Sequence, residues 1–229
     1  MQGTLLINKP VGWTSFDVVN YIRRIVSGLE NKKPKSIKVG HAGTLDPFAT
    51  GLLIILVGKE YTKRASEFSG LDKVYEIVMR LGETSATGDT EGNLTFVSDL
   101  QPKENELSET LDKFKGEIYQ TPPNFSAIKI NGQRAYKLAR AGKEFKIEPR
   151  KITIHDIKLK KYNYPEAGII ADVSSGTYIR SLVEDIGDSL GTGAYTTELN
   201  RISIGRFNLK DSQLPEQLRA DTIRQFIQS

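Results

Sequence analysis

The residue types best suited to chemistry crowd into one segment. Gly40-His41-Ala42-Gly43-Thr44-Leu45-Asp46-Pro47 leads into Ala49-Thr50-Gly51 and then the wholly apolar run Leu52–Val57. Three glycines, a proline and an aspartate against an apolar strand describe a constrained loop at the edge of a core. A carboxylate held there can act as nucleophile or base, and an imidazole beside it can carry a proton. Taken alone, Asp46 before Pro47 is more often a turn or cap residue, and His41 more often a satisfied structural imidazole than a catalytic one. The glycine spacing is wrong for a phosphate-binding P-loop, and no Gly-Lys-Ser/Thr follows. A metal site on His41 and Asp46 lacks further ligands, and with only His41 and His155 in the chain a conventional triad is poorly supported. Zero cysteines exclude a disulfide framework and a thiolate metal site.

Charge points to the kind of partner. The chain has 229 residues and a net charge of +4. Between Lys129 and Lys161 it holds eleven Lys and Arg against Glu144, Glu148 and Asp156, so the remainder is net acidic. A smaller cluster, Lys32, Lys33, Lys35 and Lys38, contains no acid. One basic segment on an otherwise mildly acidic chain suits contact with a phosphate backbone, and a solvated surface is the plain alternative. The longest apolar run is far short of the roughly 20 residues that span a bilayer, and the N-terminus lacks a signal-peptide pattern. A soluble cytoplasmic protein is expected.

These segments need elements to hold them. Thr14-Ser15-Phe16-Asp17 reads as a capped helix start, with Val18, Ile22 and Ile25 as its apolar face, running out at Gly28. Asn31–Ser36 reads as a basic loop. Leu52–Val57 suits a strand covered on both faces. Lys73–Leu81 alternates, so Tyr75, Ile77, Met79 and Leu81 point inward and Glu76 and Arg80 outward. Leu107, Leu111 and Phe114 mark a helix, Ile128–Gly132 ends a strand in a turn, and Arg134–Ala141 can be a short basic helix. Ile152, Ile154 and Gly168–Val173 read as strands. Ile179, Leu182, Val183, Ile186 and Leu190 repeat at helical spacing, Gly191 supplies the stop, and Arg180 falls outside the apolar stripe. A last helix is expected over 221–227. Strands and helices mix without regular βαβ alternation, which predicts an α+β fold with a mixed central sheet in one catalytic-sized domain.

Several segments together resemble the TruB family, the tRNA pseudouridine-55 synthases. Gly40–Gly51 is similar to that family's active-site loop, and Leu6-Ile7-Asn8-Lys9-Pro10-Val11-Gly12-Trp13-Thr14-Ser15 to its opening segment. Asp72-Lys73-Val74-Tyr75 resembles the start of its tyrosine strand. Gln120-Thr121-Pro122-Pro123, Phe125-Ser126-Ala127-Ile128-Lys129, Asn131-Gly132 and Arg134-Ala135-Tyr136 resemble the entry to its RNA-gripping insertion. Gly176-Thr177-Tyr178-Ile179-Arg180-Ser181 matches its arginine motif, and Leu199-Asn200-Arg201 with Gly205-Arg206-Phe207 its closing strands. The similarity covers roughly residues 3–210. Ser85-Ala86-Thr87-Gly88-Asp89-Thr90-Glu91-Gly92 departs from the family's Thr-Asp-Thr-x-Asp-x-x-Gly by lacking its first aspartate, while Asp89 is retained.

The resemblance implies a pseudouridine synthase fold: a mostly antiparallel mixed sheet flanked by helices, a catalytic domain over 1–210, an RNA-binding insertion at about 124–150, and a short tail over 211–229 with no PUA domain. It implies isomerisation of uridine-55 in the tRNA T-loop, on a base taken out of its stack. Asp46 would be the essential carboxylate, Arg180 its ionic partner, and Tyr75 a ring stacked on the base with a hydroxyl free to hydrogen-bond. His41, Gly43, Thr44, Leu45, Lys73, Asp89 and Tyr178 would surround the substrate, and Arg134, Lys137, Arg140 and Lys143 would meet phosphates. No cofactor or metal is called for, no protein partner or membrane is implied, and a monomer is expected. Two other readings within reach of the same residues are a tRNA-binding or tRNA-folding protein without turnover and a related synthase acting on another RNA site. A hydrolase built on His41 and Asp46 is a further one.

Overall fold

The computed structural model describes residues 1–126, 128–130 and 132–228. The chain forms two compact units, Met1–Tyr75 with Leu199–Ser229, and Glu76–Glu198. Ala127 and Asn131, within motifs quoted above, and Ser229, at the end of the tail, lie outside the described residues.

The first unit is built on strand β1 (Gly3–Lys9), helix α1 (Ser15–Leu29), strands β2 (Val39–Ala42) and β3 (Thr50–Val57), and the short helices α2 (Lys59–Lys63) and α3 (Ala65–Ser69). Thr14 caps α1 in a reciprocal capping box with Asp17, so the helix starts where the sequence places it. β1 runs antiparallel along one edge of β3, from Gly3 opposite Val57 to Lys9 opposite Gly51. On the other edge β2 pairs antiparallel with residues 54–57, and a returning strand pairs parallel at Thr50 and Gly51. The loop 43–49 leaves where those two partners part.

The apolar run of β3 has a simple cause, since both its faces are covered. Leu53, Ile55 and Val57 pack with Leu5, Ile7, Val18, Val19, Ile22 and Val26, whereas Leu52, Ile54 and Leu56 pack with Leu6, Phe68, Ile204 and Phe207. Each such fully buried side chain contributes about 1.5–3 kcal/mol. The C-terminal segment is woven into the same core. Gln213 exchanges main-chain hydrogen bonds with Leu6 and Asn8, Gln228 pairs with Thr4, and Leu218 and Ile223 are buried. The last helix covers only Ile223–Phe226, shorter than the expected 221–227, because the chain must extend again to bring Gln228 alongside β1.

Strand β4 (Lys73–Leu81) begins in the first unit and continues into the second. There it is followed by a small hairpin of β5 (Glu83–Ser85) and β6 (Leu94–Phe96), helix α4 (Glu104–Lys113) and strand β7 (Gly116–Gln120). Next come β8 (Lys129–Ile130), β9 (Gln133–Arg134) and helix α5 (Ala135–Arg140), then the long strands β10 (Arg150–Asn163) and β11 (Glu166–Val173). β10 pairs antiparallel with both β11 and β7. Helix α6 (Ile179–Leu190) ends on Gly191 in the left-handed region, at φ 72°, as the sequence pattern requires. β12 (Ala194–Ile204) carries the chain back to the first unit, where β13 (Phe207–Asn208) pairs with its end. The α+β class and the mixed strand pairing agree with expectation.

Candidate active site

Asp46 is half-buried on a loop whose main chain is fixed on both sides of it. Arg201, on β12, is the strongest fixing group: it is 1% exposed and donates from Nε to the Leu52 carbonyl (2.8 Å) and from Nη2 to that of Gly43 (2.9 Å), with Nη1 3.5 Å from that of Thr44. Gly43 sits at φ 83°, a region that favours glycine. Ser15, in the first turn of α1, both accepts from the Leu45 amide (2.9 Å) and donates to its carbonyl (3.2 Å). Beyond Asp46, the Pro47 carbonyl accepts from the Gly12 amide (2.8 Å) and from Lys9 Nζ (3.3 Å). Lys9 is 0% exposed and also donates to the carbonyls of Trp13 (2.6 Å) and Pro10 (3.0 Å). Burial pulls its pKa down to about 8, partly offset by attraction to Asp46. Main-chain groups at 43, 44, 45 and 47 are therefore all held, which fixes the backbone that carries Asp46.

Around this loop the first unit gathers further charge and an aromatic ring. Tyr75 points inward from β4 as its alternation predicts, with its ring centroid 6.0 Å from the Arg201 guanidinium carbon. Lys73, expected at the substrate, is buried and donates to the Ser69 carbonyl (2.9 Å) and to that of Leu71, so its ammonium is engaged by main chain. Burial and, next, the Arg201 charge lower its pKa to about 8. His41 is held below its ordinary pKa by burial and then by Arg201, and its Nδ1 has no hydrogen-bond partner among the described residues. An unmade hydrogen bond of that kind costs about 1–3 kcal/mol. Thr44 is exposed and Leu45 buried.

The second unit organises Arg180, Asp89 and Tyr178. Arg180 lies outside the apolar stripe of α6, yet it is buried, not solvent-facing as a helix-end arginine usually is. Its guanidinium donates to the carbonyls of Thr87 (2.6 Å) and Phe125 (3.1 Å) and approaches Asp89 Oδ2 at 3.5 Å. Asp89 is itself buried and accepts from Thr87 Oγ1 (2.5 Å) and the Glu91 amide (3.0 Å). The departure from the family pattern around 85–92 therefore leaves intact the carboxylate that ties this turn to α6. Gly88, at φ 74°, permits the close approach, because a Cβ there would lie 2.5 Å from Glu184 Oε1. Burial raises the Glu184 pKa to about 7 against the opposing pull of Arg180. Tyr178 clasps Gln120 through two hydrogen bonds, its carbonyl accepting from Nε2 (3.0 Å) and its amide donating to Oε1 (2.8 Å). Arg134, Lys137, Arg140 and Lys143 are exposed on the β9–α5 segment, with Arg140 stacked 5.7 Å over Tyr136.

Three supports of the loop lie outside the sequence-predicted site residues: Lys9, Ser15 and Arg201. A signal existed for two. Lys9 continues the inward alternation Leu5, Ile7, and Arg201 follows Leu199 on the same strand face, so each is a cation at a core position. Ser15 reads only as part of a helix start.

The chain is similar to known proteins over most of its length. Residues 30–179 match the family profile described as TruB family pseudouridylate synthase (N terminal domain). The chain is 41% identical to the tRNA pseudouridine synthase B of Aquifex aeolicus, covering 99% of this chain and 77% of that protein. It is 45% identical to that of Bacteroides fragilis, covering 90% of this chain and 88% of the relative. Among solved structures, a chain of a Cbf5-Nop10-Gar1 complex superimposes with a TM-score of 0.72 at 27% identity, over 96% of this chain and 54% of that one. The chain thus spans about half the length of that solved relative. With the Asp46 loop, the Tyr75 strand and the Arg180 helix all within the matched or aligned region, the chain belongs to the TruB family of pseudouridylate synthases.

Proposed function

We propose that this protein isomerises uridine-55 to pseudouridine in the T-loop of tRNA, with Asp46 as the essential carboxylate. The N1–C1′ bond of the nucleotide breaks, the uracil turns, and a C5–C1′ bond forms. C5 gives up its proton and N1 gains one, so nothing is oxidised and no group is carried away. The observation that carries this reading is the hydrogen-bonded main chain on either side of Asp46, which fixes the backbone that presents its carboxylate. Tyr75 offers a ring for the extruded base, and neutral His41 an unfilled nitrogen near the loop. The exposed cations Arg134, Lys137, Arg140 and Lys143 take the T-arm backbone. The protein acts on tRNA as a single chain, and a cytoplasmic location follows from the tRNA substrate.

The test is tritium release from tRNA labelled with [5-³H]uridine. Asp46→Asn lowers turnover by at least about a hundredfold, the low end of what a positioned acid or base supplies, while tRNA affinity is kept. Turnover by the variant equal to the parent's removes Asp46 from the chemistry. Binding without turnover by the parent favours a tRNA-binding or folding role instead. Arg180→Lys reads the role the resemblance gives Arg180, since it retains the charge and loses the planar fork.

A further inference from the structure

The first unit carries a second basic surface that the proposed T-arm contacts do not use. An open cavity of about 630 Å³ lies between α1 and the segment 34–39, lined by Asn20, Arg23, Arg24, Lys35, Lys38 and Val39 among others, with four cations and no acid. It shares Asn20 and Arg24 with a neighbouring cavity of about 410 Å³ beside Trp13 and Tyr21, whose rings meet edge to face at 5.7 Å. On its other side it shares Ile37 and Lys38 with a third of about 370 Å³, which adds Lys32 and Lys59. The three form one trough whose cations are spread along its length.

The two acids at its ends are already engaged. Asp17 is held by Thr14, and Glu30 bonds Lys32 Nζ at 2.8 Å and the Met1 amino group. Arg23 is fixed by Asn20 Oδ1 (2.6 Å) and the Val39 carbonyl (3.2 Å) and stands 5.8 Å from the ring centroid of Phe16, a residue 58% exposed. Outside residues 129–161 the chain is net acidic, so this concentration of cations, of which Lys32 is paired with Glu30, is local. Cations distributed along an open groove, with aromatic rings at one end, fit a repeating phosphate chain with exposed bases better than a compact anion.

We infer that this trough binds the phosphodiester backbone of the substrate RNA outside the T-arm. The inference rests on tRNA being the substrate. It is tested with the triple variant Arg24→Ala, Lys35→Ala, Lys38→Ala, all exposed residues, by measuring affinity against salt for whole tRNA and for an isolated T-arm stem–loop. The slope of log affinity against log salt for whole tRNA is expected to shrink by about 2 to 3, at roughly 0.7–0.9 per lost phosphate contact. Affinity for the stem–loop and turnover on it stay at the parent's level. Lys35→Glu alone, at a solvated position, repeats the loss in smaller measure. An unchanged slope with whole tRNA overturns the inference, and an equal loss on both RNAs overturns its restriction to RNA outside the T-arm. Tritium release by the parent is scored separately, so failure of the catalytic reading leaves the binding comparison legible.

Discussion

Arg201 and Gly43 are joined by a 2.9 Å hydrogen bond from the Arg201 Nη2 to the Gly43 carbonyl, and this bond fixes the start of the Asp46 loop to the strand pair beneath it. The same guanidinium holds Leu52 and stands beside the Tyr75 ring. Arg201 is therefore a positioning residue. Arg201→Met leaves buried carbonyls unpaired at about 1–3 kcal/mol each and lowers stability by about 2–5 kcal/mol. In the fraction that folds, kcat falls while affinity for the T-arm stem–loop holds. Arg201→Lys restores one bond and part of both losses. A variant that is destabilised yet keeps the parent's kcat reduces Arg201 to a purely structural role.

Ser15 offers a milder version of the same test. Its hydroxyl completes both the amide and the carbonyl of Leu45, one residue before Asp46. Ser15→Ala removes both bonds without adding volume, so stability drops by about 1–3 kcal/mol. Single-turnover rates should fall about tenfold with little change in RNA affinity, and Ser15→Thr, which retains the hydroxyl, should recover most of the rate. Equal rates for Ala and Ser at position 15 show that the loop is held well enough by its other supports.

How much of this was legible in the sequence depends on the range of the interaction. Local rules succeeded: Thr14 and Asp17 cap α1, Lys73–Leu81 is a strand with Tyr75 inward, and Gly191 ends α6. The Asp46 loop was visible because its glycines, proline and flanking apolar strand adjoin in the chain. Its supports were not, because Arg201 lies 158 positions from Gly43 and Ser15 lies 30 from Leu45, and composition carries no record of such pairings. The burial of Arg180 was hidden for a related reason. A cation outside an apolar stripe reads as solvated until its carbonyl partners arrive from Thr87 and Phe125. Lys73 stands in phase with Tyr75, Ile77, Met79 and Leu81, so its burial was legible in the strand alternation. The last helix is shorter than the sequence pattern predicts because the pairing of Gln228 with Thr4 is a contact between distant parts of the chain.

Glu184 gives a prediction in pH. On α6 it lies against Gly88 and faces the charges of Arg180, Asp89, Asp185 and Asp188. Its folded-state pKa, raised by burial to about 7 from 4.5, means that the folded protein binds this proton more tightly than the unfolded chain does. The stabilising contribution is thus complete below about pH 4.5, declines as pH rises between the two values, and is gone above about pH 7. Glu184→Gln has no proton to lose there. The parent's melting temperature is expected to fall more than the variant's between pH 5 and pH 8, with the two curves drawing together at the acid end. Parallel curves across that range would show that Glu184 titrates like a solvated carboxylate. Because Arg180 reaches both Asp89 and the Thr87 carbonyl beside it, the variant also reports on the site: a stable Glu184→Gln protein with the parent's turnover at pH 8 assigns the hold on Arg180 to Asp89 and the two carbonyls, with no contribution from Glu184.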